Sequence, residues 1–186
     1  MFKIISLSAL LLSVSTPAVC ADYVQAPGSY LNFTGSYYDT SFKGTFPGFT
    51  TRFSFDPAHL ADAALDVSIL LAGATTRNAD YDNQIHSTAF FSSKRFPQAL
   101  YSSTKFRRLG GNRYAADGTL TLRGVSKPVT LTFTWSPAAR PVLTGEAIVK
   151  REEFGVGSGA LVDAGIIPSD IPNEIKVATR VMFKPQ

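Results

Sequence analysis

Seven residues, Val129-Thr130-Leu131-Thr132-Phe133-Thr134-Trp135, alternate apolar and threonine without a break. A period of two puts one set of side chains on each face of a β-strand. Threonine is itself a strand former, so neither face pulls the chain toward helix. A strand with one wholly apolar face cannot stand alone. It needs neighbours beside it and something over that face.

The same period recurs along the chain. Leu31 and Phe33 share a face in 29–34, and a second strand is expected over 41–46. Phe49, Thr51, Phe53 and Phe55 line one side of 49–56, and Leu65, Val67, Ile69 and Leu71 one side of 63–71. Further strands are expected over 99–107, 113–123, 143–154 and 175–183, with turns at Pro47-Gly48, Leu109–Asn112, Gly124–Pro128 and Ser136–Pro141. About eight strands at hairpin spacing make an antiparallel sheet, closed as a barrel or folded as a sandwich. The stretch 78–97 breaks the pattern and is the best helix candidate. Asn78 is placed to cap it, Asp80 and Asp82 sit in its first turn, and Tyr81, Ile85 and Ala89 form a narrow apolar stripe. The chain therefore reads as all-β with one short helix inserted at one end.

The first 21 residues read as a secretory signal. Lys3 precedes an apolar run over 4–14 that is too short to span a bilayer, and small residues follow. Cleavage is expected after Cys20 or Ala21, leaving a single domain from 22 to 186 in the periplasm or outside the cell. Val19 and Pro17 stand where a lipobox would place a small residue and a leucine, so ordinary cleavage is expected rather than lipidation. Cys20 is the only cysteine. With it gone, the fold has no disulfide to lean on, and thiol catalysis and Cys-ligated zinc are excluded. The net charge of +4 is spread along the chain. It allows brief contact with an anionic membrane surface, but no basic-aromatic motif for nucleic acid is present.

Gly155-Val156-Gly157-Ser158-Gly159-Ala160 spells a dinucleotide fingerprint. That motif needs a buried parallel strand before it and a helix after it. Here Lys150-Arg151-Glu152-Glu153 precedes it, and Pro168 and Pro172 follow. A loop at the rim of the sheet is the better account. His59 and His86 are isolated, and neither has a second ligand at motif spacing, so no metal site and no catalytic residue is assigned.

Four motifs in order resemble the YceI family of exported lipid-binding proteins. They are Gly44-Thr45-Phe46 leading to Phe53-Ser54-Phe55-Asp56-Pro57; Ser87-Thr88-Ala89-Phe90-Phe91 followed by Phe96-Pro97; Gly118-Thr119-Leu120-Thr121-Leu122-Arg123-Gly124-Val125-Ser126-Lys127-Pro128; and Arg151-Glu152-Glu153-Phe154-Gly155-Val156. The third is the most specific. The chain departs from the family pattern at Asp80-Tyr81-Asp82, at Ser92 and at Gly28-Ser29. The resemblance implies an extended lipocalin-like β-barrel. It also implies a cavity for a polyisoprenoid, an isoprenoid quinone or a fatty-acid-like lipid, with no other cofactor and no catalysis.

Alternation then suggests where such a tail would lie: along Phe33, Phe53, Val67, Ile69, Tyr101, Leu120, Phe133 and Trp135, with Ile85, Phe90 and Phe91 closing the mouth. Patterning alone leaves a filled interior equally open. The competing reading is thus a ligand-free β-sandwich or barrel that serves as an interaction module. A barrel enzyme acting on a lipid-like substrate is a third reading. It has only Tyr101, Ser103 and Thr179 to offer as inward polar groups. Oligomeric state, head group and chain length are not encoded in any feature above.

Overall fold

The structure is a computed structural model that describes residues 21–37, 40–158 and 171–186. The expected signal segment and most of the loop after Ser158 lie outside the described residues. Ten strand segments follow in chain order: β1 (Asp22–Gln25), β2 (Tyr30–Tyr37), β3 (Thr40–Thr45), β4 (Phe49–Ser54), β5 (Ala64–Leu70), β6 (Gln98–Gly110), β7 (Arg113–Leu122), β8 (Val125–Ser136), β9 (Val142–Lys150) and β10 (Glu174–Pro185). Among the described residues one α-helix, α1 (Ala79–His86), lies between β5 and β6.

All pairings are antiparallel, and they close. The order runs β1-β4-β5-β6-β7-β8-β9-β10, and β1 returns to β10 through Tyr23 opposite Pro185 and Gln25 opposite Phe183. β2 continues along the same edge of β10, with Tyr30 opposite Arg180 and Thr34 opposite Lys176. β1 and β2 are thus one wall strand interrupted at Pro27-Gly28. β3 and β4 are a second, interrupted at Pro47-Gly48. Eight wall strands result, as the hairpin spacing predicts. β1 itself carries too few residues to show a period and is not foreseen in the sequence.

Local chemistry fixes the ends. β7 and β8 are joined by only two residues, Arg123 and Gly124, both at positive φ (53° and 76°). That is the geometry of a primed hairpin turn, whose twist matches the flanking strands. β8 therefore starts at Val125, earlier than expected, and Pro128 sits within it opposite Thr119. β9 ends sooner than expected: Arg151–Phe154 winds into a 3₁₀ turn capped by Gly155 at φ 67°. The helix is also shorter than expected. The Asn78 side chain accepts from the Asp80 and Tyr81 amides at its start, and Ser87 leaves it in an extended conformation. Ser92, at φ 48°, then turns the chain back so that Phe90 and Phe91 face the barrel.

Candidate functional site

The barrel interior divides into two halves along its length. At the end marked by β1, the N-termini of β5, β7 and β9, and the C-termini of β4, β6 and β8, eight rings form one cluster. Phe53 stacks on Phe55 at 4.8 Å between centroids and meets Trp135 edge-on at 5.5 Å. Phe133 lies 5.6 Å from Tyr114, and Tyr23 lies 5.3 Å from Trp135. Phe106 and Phe183 complete the group. This half is filled.

The other half is hollow. Along β8, Val129 and Leu131 are half-exposed although they point inward, whereas Phe133 and Trp135 on the same stripe are buried. Along β10, exposure falls in the same way from Ile175 and Val177 to Val181 and Phe183. Inward side chains with accessible surface face empty space. That space is a cavity of about 200 Å³. The 29 described residues that line it are nearly all aliphatic or aromatic.

Among the described residues, the four lining residues with polar side chains are Thr51, Tyr101, Arg151 and Thr179. Three of them have their hydrogen-bonding capacity taken up by backbone. Thr179 Oγ1 donates to the Tyr30 carbonyl at 2.8 Å. Tyr101 lies along β7 over Gly118, where any Cβ would strike its ring, and its hydroxyl donates to the Ala116 carbonyl at 2.8 Å. Burial pushes the Tyr101 phenol up, so it stays protonated across the accessible pH range. Arg151 is buried and directs its guanidinium at the carbonyls of Val156 (2.9 Å), Gly157, Ile171 (2.6 Å) and Pro172 (3.0 Å), with Glu152 Oε1 at 3.1 Å. It fastens the chain after β9 to the segment before β10. Burial lowers its pKa and Glu152 partly offsets this. Thr51 Oγ1 is buried in the wall with no hydrogen-bond partner. A chamber so lined offers a hydrocarbon a dry surface and offers a polar group little to bind.

At the hollow end, the segment after α1 lies across the barrel. Phe91 packs against Phe33 and Phe46, with centroids 6.4 and 5.9 Å away. Phe90 sits over Gly157, which has room for it only because it lacks a side chain. The segment is pinned through its carbonyls. Arg123 Nη1 donates to Ala89 (3.1 Å) and to Phe90, and the Gly157 amide donates to Ala89 at 2.8 Å. Asp82 anchors the helix, accepting from Thr75 Oγ1 at 2.6 Å and Thr76 Oγ1 at 2.7 Å. Outside the cavity, His86 Nδ1 lies 3.3 Å from Ser93 Oγ, and His59 pairs with Asp56 at 2.7 Å.

Of the residues expected along the cavity, Phe33, Val67, Ile69, Ile85, Phe90, Phe91, Tyr101 and Leu120 line it. Phe53, Phe133 and Trp135 do not. They have the right face but the wrong depth, because their rings interlock and leave no space between them. Alternation reports which way a side chain points and carries no information on depth. A second signal does. On β8 and β10 the stripe changes from aliphatic to aromatic as it descends, from Val129 and Leu131 to Phe133 and Trp135 and from Val177 and Val181 to Phe183. Leu31, Phe46, Leu122, Val129, Leu131, Ile175 and Val177 also line the cavity. They lie on predicted stripes, and that signal would have recovered Val129, Leu131, Ile175 and Val177. Arg151 was visible only as part of a motif.

Fold and cavity define a class: small closed antiparallel β-barrels with an apolar internal chamber. Within that class the chain belongs to the YceI-like domain family, whose pattern it matches over residues 23–183. It is 32% identical over 152 residues to a UPF0312 protein of Vibrio campbellii, covering 78% of this chain and 80% of that one. It is 34% identical over 118 residues to Protein YceI of Escherichia coli O157:H7, covering 61% of each. A 35% match to a UPF0312 protein of Photorhabdus laumondii spans 66% of this chain and 65% of that relative's length. Among solved structures, Burkholderia cenocepacia BcnA superimposes with a TM-score of 0.76 at 26% identity, covering 83% of this chain and 95% of BcnA. A polyisoprenoid binding domain from Saccharophagus degradans shares the fold at a TM-score of 0.68 and 15% identity, covering 90% of this chain and 99% of that domain.

Proposed function

We propose that this protein is a non-catalytic carrier that holds the tail of a long-chain amphiphile, an isoprenoid or similar lipid, inside its barrel. The observation that carries the reading is the hollow half of the barrel, whose described lining is nearly all apolar, with the polar groups of Tyr101, Arg151 and Thr179 committed to backbone. Burial of a hydrocarbon tail contributes about 0.8 kcal/mol per methylene, so such a chamber binds tails without any polar contact. The fold shared with a polyisoprenoid binding domain supports the same reading. No other cofactor is required by it. The carrier is exported, to the periplasm or beyond the cell, with residues 1–21 removed. Transient contact with a membrane surface would let it collect and release its cargo.

Native mass spectrometry of the purified protein, before and after organic extraction, tests this directly. The expected result is a lipid adduct that extraction removes and that added isoprenoid restores. The mass of the bare chain reports the cleavage site in the same spectrum. A protein that carries no lipid and takes none up refutes the reading.

A further inference from the structure

The chamber does not taper; it stops. On β10 the lining runs from Ile175 to Val181, and the next inward residue, Phe183, is fully buried and outside it. On β4 the lining ends at Thr51, and Phe53 lies beyond; on β8 it ends at Leu131, and Phe133 lies beyond. Three strands around the barrel therefore reach the same floor, made of interlocked rings.

The depth above that floor follows from strand geometry. The six residue steps from Ile175 to Val181 rise ~3.3 Å each, about 20 Å along the strand. Barrel strands tilt ~35–45° from the axis, which leaves about 15 Å of depth. A zigzag of ~1.5 Å carbon–carbon bonds advances about 1.25 Å per carbon, so about twelve chain carbons reach the floor. The cavity of about 200 Å³ has room for one such tail.

We infer that the aromatic floor is a length ruler: the chamber takes a single apolar tail of about twelve chain carbons, the length of three isoprene units, and any longer tail leaves its surplus outside. This rests on the lipid-binding reading above and sharpens it to a tail class. The chamber does not read the head group: among the described lining residues the one unpartnered hydroxyl, Thr51 Oγ1, is buried within the wall beside the floor, far from the mouth.

A homologous series of saturated fatty acids, from eight to twenty carbons, tests the ruler by displacing a fluorescent fatty-acid reporter from delipidated protein. Affinity is expected to tighten about fourfold per methylene up to about twelve carbons and then to level off. Val67→Phe adds four non-hydrogen atoms to the half-exposed wall and is expected to bring the break about four carbons earlier. Phe133→Ala lowers the floor and is expected to move the break later. If that variant does not fold, Val67→Phe decides alone. A slope that continues unchanged through twenty carbons, or a break that stays put in Val67→Phe, overturns the ruler and leaves lipid binding intact. Failure of every acid to bind overturns lipid binding and the ruler with it.

Discussion

Val67 is the position at which filling the chamber would show most. It stands midway along β5, with Thr51 and Tyr101 as its cross-strand partners, and its side chain faces the hollow. Val67→Trp adds seven non-hydrogen atoms. They enter the chamber and take the place of tail atoms. A tail that loses about seven carbon-sized contacts at ~0.8 kcal/mol each loses about 5–6 kcal/mol, a weakening on the order of ten-thousandfold. The free protein should not suffer, because the indole enters space that is already empty. Its melting temperature is expected to hold or rise. The measurement is reporter displacement, with circular dichroism on the same sample to confirm the fold. A folded Val67→Trp protein that takes up a twelve-carbon tail within threefold of wild type would refute the placement of the tail.

Three further outcomes follow from groups described above. Thr51→Val removes a buried hydroxyl that has no partner, so urea denaturation is expected to show a gain of about 1–2 kcal/mol, where a satisfied threonine would show a loss. Arg151→Lys replaces a five-donor fork with a point charge and leaves at least two buried carbonyls unmet, so a loss of about 3 kcal/mol is expected in the same assay. The Asp117 carboxyl is held at a pKa of about 2, chiefly by hydrogen bonds from Arg107 and then Thr130. Its contribution is complete above the unfolded value of ~3.9 and is lost as pH falls through 2. Because the group is about a third exposed, solvent screening limits that contribution to at most ~1 kcal/mol. Asp117→Asn should therefore be closer to wild type in stability at pH 2 than at pH 6.

The fold was legible because its strands are half-buried, and a period of two survives wherever one face is covered. Val129–Trp135 and 175–183 were readable for that reason. What closes the barrel was not. β1 contributes only four residues, and its role comes from lying end to end with β2 along β10, a long-range relation that no local pattern encodes. The short α1 has a similar cause. Its start is written in the Asn78 cap, while its end depends on Ser87 and the positive φ of Ser92, which no apolar stripe reveals. For the site, alternation gave direction but not depth, of which the change from aliphatic to aromatic along β8 and β10 was the one local trace. By alternation Phe133 and Leu131 are equivalent, and it is the meeting of rings from six strands that makes one a floor and the other a wall.

The interrupted wall strand formed by β3 and β4 has a kinetic consequence. β4 is laddered to β5, but β3 carries on past the end of β5 with no strand on its outer edge among the described residues. There the wall is held by the amide exchange between Thr45 and Thr75, at 2.8 and 3.0 Å, and by Phe42 resting on Tyr81 of α1 with centroids 5.9 Å apart. Parting this seam breaks two backbone hydrogen bonds, whereas parting any neighbouring pair of strands breaks a whole ladder. If the barrel carries a tail as proposed, this seam is where it is expected to enter sideways, with Tyr81 governing the rate of exchange and the chamber the affinity. Tyr81→Ala is accordingly expected to speed both loading and release, measured by stopped-flow reporter exchange, while leaving the equilibrium constant within about twofold.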